Sequence, residues 1–244
     1  FGPLITAHDA VWTRGQPKWF QSSNSARRGF CADCGTPLAY ETKFGLELAI
    51  GTFDDPEVAA PKIQVNPNDK VSFFEGLTSL PWRGRPRLAR LHGRHPFEPA
   101  SRPRYRRLAA AGEIAMSWQD RIGIELSGGC QCGAVRYHAT ERLDNAHICH
   151  CRMCQKAMGN FFAPLVGIPL ESFAWTRGTP AIFMSSEHIA RGFCANCGTP
   201  LFYRNVDNPR IAVTIGSLDH PELVVPIQQC GNEAKLPYFD ALAA

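Results

Sequence analysis

The decapeptide GFCADCGTPL at residues 29–38 returns at 192–201 as GFCANCGTPL. A repeat of this kind commits the chain to building one structural unit twice. It extends both ways. VWTRGQP at 11–17 matches AWTRGTP at 174–180, and IGTFDDPE at 50–57 matches IGSLDHPE at 215–222. Pro3-Leu4 answers Pro164-Leu165, and Lys70 through Phe74 answer Lys235 through Phe239. Only the second copy is preceded by a front portion, residues 116–161, which carries five cysteines. The expected organisation is therefore a truncated back half at 1–83, a linker at 84–115 and a complete domain at 116–244.

The formal net charge of +4 is concentrated in that linker. Residues 84–115 hold eight Arg and two Glu, and the rest of the chain carries 18 basic against 20 acidic side chains. The stretch is rich in Arg, Pro and Ala without sustained apolar periodicity, which predicts a solvated spacer. It lacks the interleaved aromatics that would support base stacking, so nucleic acid is not expected as a partner. Met116-Ser-Trp-Gln reads as the natural start of a second unit. No apolar run is long enough to span a bilayer, and FGPLITAHDAVW has no secretory signal pattern, which places the expected location in the cytoplasm.

Ten cysteines then have to be assigned to disulfides or to metal. Cys130 and Cys132 are two apart, as are Cys149 and Cys151, a spacing too tight for easy disulfide closure and well suited to chelation. On a strand, Cys130 and Cys132 would point to one face. Cys194-Ala-Asn-Cys197-Gly198 is a zinc-knuckle pattern, and with Cys130 and Cys132 it makes a four-thiolate set. Cys149, Cys151 and Cys154 fall within six residues; three ligands would leave a fourth position open. His150 or His147 could fill it, although His150 between two ligands should point away. A set in which Cys130 or Cys132 joins this trio would leave the knuckle short. Cys31 and Cys34 form a partial site, without a CxC pair in their own copy. Cys230, which matches Val65, reads as a small apolar core residue.

Short runs of β formers, including 135–137, 182–184, 202–203 and 211–215, are mostly bounded by Gly or Pro and predict a mainly β chain. Helix signals are limited to one turn at 151–157 and an Arg/Ala segment at 104–114.

The strings GGCQCGAVRY, CHCRMC and RGFCANCGTPLFY, in that order, resemble the glutathione-dependent formaldehyde-activating enzyme family, which includes centromere-protein-V-like proteins. The resemblance covers about 124–240, and its second half recurs at 1–74. It implies a mainly β, Mss4-like zinc-bound fold in tandem, truncated copy then complete copy. It also implies two Zn2+ per complete domain: a structural zinc at Cys130, Cys132, Cys194 and Cys197 and a catalytic zinc at Cys149, Cys151 and Cys154. Tyr238 stands where the family pattern favours Trp.

The implied activity is that of a carbon–sulfur lyase resembling S-(hydroxymethyl)glutathione synthase, with glutathione or another small thiol and formaldehyde or a related carbonyl as partners. Arg152 and Lys156, beside the trio, are the expected partners of glutathione carboxylates. The half copy gives a reason to expect association of half with whole units, and no membrane partner is expected. The rival expectation is a zinc-stapled binding module acting through its Arg-rich segment.

Overall fold

The computed structural model describes residues 3–83 and 120–242. The linker and the segment at 104–114 lie outside the described residues.

The N-terminal part forms one antiparallel sheet from β1 (Leu4–Ala7), β2 (Lys18–Ser23), β3 (Ala26–Phe30), β4 (Pro37–Thr42) and β5 (Gly45–Ala49), in the order β1-β5-β4-β3-β2. The C-terminal part opens with β6 (Arg121–Gly129), β7 (Arg136–Leu143) and β8 (His147–Cys149), followed by α1 (Arg152–Met158). Then come β9 (Ala163–Pro169), β10 (Phe173–Arg177), β11 (Ala181–Ser186), β12 (Ile189–Phe193), β13 (Pro200–Asn205), β14 (Arg210–Thr214) and β15 (Gln228–Cys230). They make a three-stranded sheet, β10-β7-β6, and a seven-stranded sheet, β11-β12-β13-β14-β9-β8-β15. The chain is thus mainly β.

Five strands of the larger sheet repeat the order and register of the N-terminal one. Lys18 pairs with Phe30 as Ala181 pairs with Phe193, Arg28 faces Tyr40 as Arg191 faces Tyr203, and Leu4 faces Ala49 as Leu165 faces Thr214.

The main core joins side chains from both C-terminal sheets. Leu126, Tyr137 and Ala139 of β6 and β7 cluster with Val166, Ile168, Leu201, Ile211 and Val213 of the larger sheet. Buried side chains alternate with outward ones along β7, the period-2 signature of a strand with one covered face. Tyr137 is fully buried, so its hydroxyl needs a partner, and Ser217 Oγ supplies one at 2.7 Å.

The two cysteine-bearing turns meet reciprocally. Gly198, at φ +74°, lies so close to Phe30 that a Cβ there would fall 2.3 Å from the ring Cγ. Gly35, at φ +75°, stands in the same relation to Phe193, at 2.2 Å. A side chain at either position would clash and strain the left-handed backbone. Lys18 Nζ adds a bond of 2.6 Å to the Ala195 carbonyl. The α1 end is also held by the N-terminal part: Lys156 Nζ bonds Asp54 Oδ1 at 2.8 Å, and Tyr238 donates to the Pro56 carbonyl at 2.8 Å.

Candidate metal centres

All ten cysteines are free of disulfides. Among the described residues, seven of them fall into two groups whose sulfurs lie within 4.8 Å of one another.

The first group is Cys130, Cys132, Cys194 and Cys197. Cys194 and Cys197 occupy a knuckle turn in which Gly198 N–H donates to the Cys194 carbonyl at 2.8 Å and Cys194 N–H to the Thr199 carbonyl at 3.0 Å. Cys130 and Cys132 were expected on a strand, and here the structure differs. β6 ends at Gly129, and the pair sits in a turn closed by Gly133 N–H to the Cys130 carbonyl at 3.0 Å, with Gly133 at φ +75°. The turn does what the strand was expected to do, because it brings the sulfurs to 3.5 Å. Cys132 reaches Cys194 at 3.7 Å. Sulfurs about 2.3 Å from a tetrahedral ion would be about 3.8 Å apart, so this donor set fits a four-thiolate metal centre.

Its thiols are not shifted alike. Burial pushes the thiols of Cys132 and Cys194 up. Burial would also raise Cys197, but hydrogen bonds from Thr199 and Cys132 outweigh it and bring that thiol down to about 7. Val135 N–H adds a donor to Cys130 Sγ at 3.2 Å.

The second group is Cys149, Cys151 and Cys154. Cys149 ends β8, Cys151 is the residue before α1, and Cys154 lies in its first turn. The predicted single helical turn at 151–157 is a seven-residue helix, ended by Gly159 at φ +58°. Cys154 and Gln155 both donate their N–H groups to the Cys151 carbonyl, at 2.9 and 3.0 Å, which folds the three sulfurs together. Their close approach shifts the thiols in opposite directions: Cys151 is lowered, first by Cys149 and then by Cys154. Cys149 is pushed up, chiefly by Cys151, and Cys154 by Cys149 and then Cys151. A cation bound here would hold these sulfurs as thiolates.

His150 does point away. It is fully buried, packs edge-on against Phe239 at 4.6 Å between ring centroids, and also approaches Trp82 and Phe162. Its Nε2 faces Gln229 Oε1 at 3.1 Å, while Gln229 Nε2 donates to the Leu80 carbonyl at 2.6 Å. Gln229 Oε1 therefore accepts from His150 Nε2, and burial lowers the imidazole's pKa. From behind, the buried Gln155 donates to the carbonyls of His150 at 2.8 Å and Ala234 at 2.7 Å. These bonds fix the cysteine loop. His147 turns to the Asn145 carbonyl at 2.8 Å and joins neither group.

Arg152 and Lys156 are both engaged with the N-terminal part. Arg152 Nη1 donates to the Gly51 carbonyl at 2.7 Å and to Gln155 Oε1 at 3.0 Å, and Lys156 pairs with Asp54. Cys31 and Cys34 occupy a knuckle turn with the bonds seen at Cys194, and Cys34 Sγ lies 3.2 Å from Thr36 Oγ1 as Cys197 Sγ does from Thr199 Oγ1. Among the described residues they join no group of three donors.

Two residues escaped the sequence reading. Arg191, only 7 % exposed, directs Nη2 at Cys154 Sγ from 3.8 Å and stacks over Tyr203 at 5.3 Å. Its Nη1 is buried and has no hydrogen-bond partner among the described residues. A cation buried beside three thiols offsets the negative charge they would carry as thiolates. Cys230 is not a core residue. It is partly exposed on β15, directly opposite Cys149 of β8 in parallel register.

No helix among the described residues is long and apolar enough to cross a membrane. Residues 125–231 match the family model described as glutathione-dependent formaldehyde-activating enzyme. A solved structure of a Rhodobacter sphaeroides protein is similar over 42 % of this chain and 98 % of its own length, with 23 % identity and a TM-score of 0.36. The family match spans both cysteine groups, so the similarity to the glutathione-dependent formaldehyde-activating enzyme family is carried by the segment that holds them.

Proposed function

We propose that residues 116–244 form a complete two-zinc domain that acts as a carbon–sulfur lyase, joining glutathione and formaldehyde or processing a related thiol adduct. Residues 1–83 would be a truncated copy without a trio of its own, and 84–115 their linker. The observation that carries this reading is the contrast between the two groups: four sulfurs close together in one, three in the other. Four thiolates close a tetrahedral zinc and leave it structural, whereas three leave a position for substrate.

Zinc, when bound, would stabilise a thiolate that is scarce for a free thiol at neutral pH. Cys149, Cys151 and Cys154 would hold the ion. Their three charges weaken it as a Lewis acid, which favours thiol capture over carbonyl activation. Arg191 would offset the surplus negative charge and offer its unpartnered Nη1 to an anionic substrate group. Lys156 could serve a carboxylate of glutathione by exchanging Asp54 for it, whereas Arg152 holds Gly51 through Nη1 and has a buried Nη2 without a partner among the described residues. In the reaction the sulfur attacks the formaldehyde carbon, the C=O π pair moves to oxygen, and the thiol proton ends on that oxygen.

The test is exchange NMR with 13C-formaldehyde and glutathione, with the uncatalysed rate subtracted. The zinc-loaded chain should accelerate interconversion of free and adduct carbon, and Cys149→Ser should abolish the gain. A loaded chain that leaves the background rate unchanged overturns the reading.

A further inference from the structure

Cys230 sits on the strand beside the cysteine trio, although neither the family pattern nor the spacing of the other cysteines singles it out. β15 runs parallel to β8, with Gln228 opposite His147, Gln229 opposite Ile148 and Cys230 opposite Cys149. Paired residues on neighbouring strands project to one face with backbones about 4.8 Å apart, so these two thiols share a side of the sheet. The backbone locks the arrangement: His150 N–H donates to the Cys230 carbonyl at 2.8 Å. Gly231, at φ +73°, then turns so tightly over the loop that a Cβ there would lie 3.1 Å from Cys151 Cβ. Residue 230 is thus held against both Cys149 and Cys151.

The N-terminal repeat supplies an internal comparison. Its equivalent position is Val65, which is exposed, and that copy has no cysteine trio. The sulfur occurs only where there is a cluster for it to face. At the same time Cys230 stands outside the group whose sulfurs all lie within 4.8 Å. Such a peripheral position suits a ligand that comes and goes.

We propose that Cys230 is the fourth sulfur of the centre formed by Cys149, Cys151 and Cys154, closing it at rest and yielding its place to an incoming thiol. Displacement rests on the thiol-capture reading above; ligation at rest does not. The exchange is redox-neutral: the entering thiol loses its proton, and the departing Cys230 sulfur ends protonated. The centre is then never left with an open position for water, and access is limited to species that can compete with a tethered thiolate.

Zinc K-edge X-ray absorption on the full-length zinc-loaded chain, with Cys230→Ser and Cys230→Val beside it, tests this. With both centres filled, the unsubstituted chain should average about four sulfurs per zinc. Each variant should fall to about three and a half, with an oxygen or nitrogen scatterer at about 2.0–2.1 Å. Adding glutathione should keep the average near four while Cys230 becomes alkylatable by iodoacetamide, read by peptide mass. An unsubstituted chain already at about three and a half overturns the proposal without reference to either variant's folding; if glutathione then raises it to four, thiol capture stands without Cys230. An average of four with Cys230 still protected in glutathione keeps the ligand but overturns both displacement and thiol capture.

Discussion

The guanidinium of Arg191 lies 3.8 Å from the Cys154 sulfur, inside a region so enclosed that its other terminal nitrogen finds no partner among the described residues. Replacing it with Met keeps most of the apolar volume and removes the charge. A hydrogen bond to a charged group is worth about 1.5–3 kcal/mol, so metal retention at the trio should fall roughly tenfold or more. Competition with a chromophoric chelator would measure it. Arg191→Lys should recover only part of the loss, because the planar stack on Tyr203 goes with the guanidinium.

The two centres should differ in what they hold together. Cys130 and Cys132 tie to Cys194 and Cys197 across sheets built from distant parts of the chain. Cys197→Ser should lose one zinc and destabilise the domain by several kcal/mol, a fall in Tm of about 10 °C. Cys149→Ser should lose one zinc from a loop already held by Gln155 and Gln229, with a much smaller fall. Metal counting alongside thermal melts of both variants checks the contrast.

Gly35→Ala should loosen the N-terminal sheet from its neighbour. The new methyl would collide with Phe193 and sit on a left-handed backbone, at a cost of about 1–3 kcal/mol. Gly15, at φ +65° with no atom within 4 Å of the added methyl, is the control; its Ala variant bears only the backbone strain, about 1 kcal/mol. Hydrogen exchange in β2 through β4 should accelerate strongly in the first variant and little in the second.

Asp219 gives a signature in acid. Arg136, first, and then Ser127 hold its carboxyl down at about 2, from an ordinary 3.8. A depressed carboxylate contributes stability above its unfolded value, and that contribution is lost as pH falls from about 4 toward 2. The gap in Tm between the unsubstituted chain and Asp219→Asn should therefore narrow over that window. Both partners are about a third exposed, so the gap should be small and shrink further in salt. Melts at matched zinc occupancy measure it.

Much of this was legible in the sequence because it is written locally. The knuckle at Cys194–Cys197 announces itself through a glycine that must adopt a left-handed conformation, and its twin at Cys31–Cys34 has the same turn. The trio is likewise local, with Cys151 serving as both ligand candidate and helix start. Short runs of β formers marked the start of β7, the middle of β11 and β13, and nearly all of β14. What escaped depends on long-range pairing. Cys230 takes its meaning from the parallel strand beside β8, a juxtaposition that no spacing rule encodes, and residue 65 suggested only a small apolar side chain. Arg191 reaches Cys154 from another strand of the sheet. The turn at Cys130 is indistinguishable from a strand in sequence, because two residues apart on a strand and two apart in a tight turn can both bring sulfurs together.

The central claim is that one centre exchanges thiols and the other does not. Native mass spectrometry of the zinc-loaded chain, with and without glutathione, tests it most directly. The account predicts two zincs and one added glutathione, with the adduct lost in Cys149→Ser and kept in Cys31→Ser. Two zincs that ignore glutathione, or a single inert one, would contradict it.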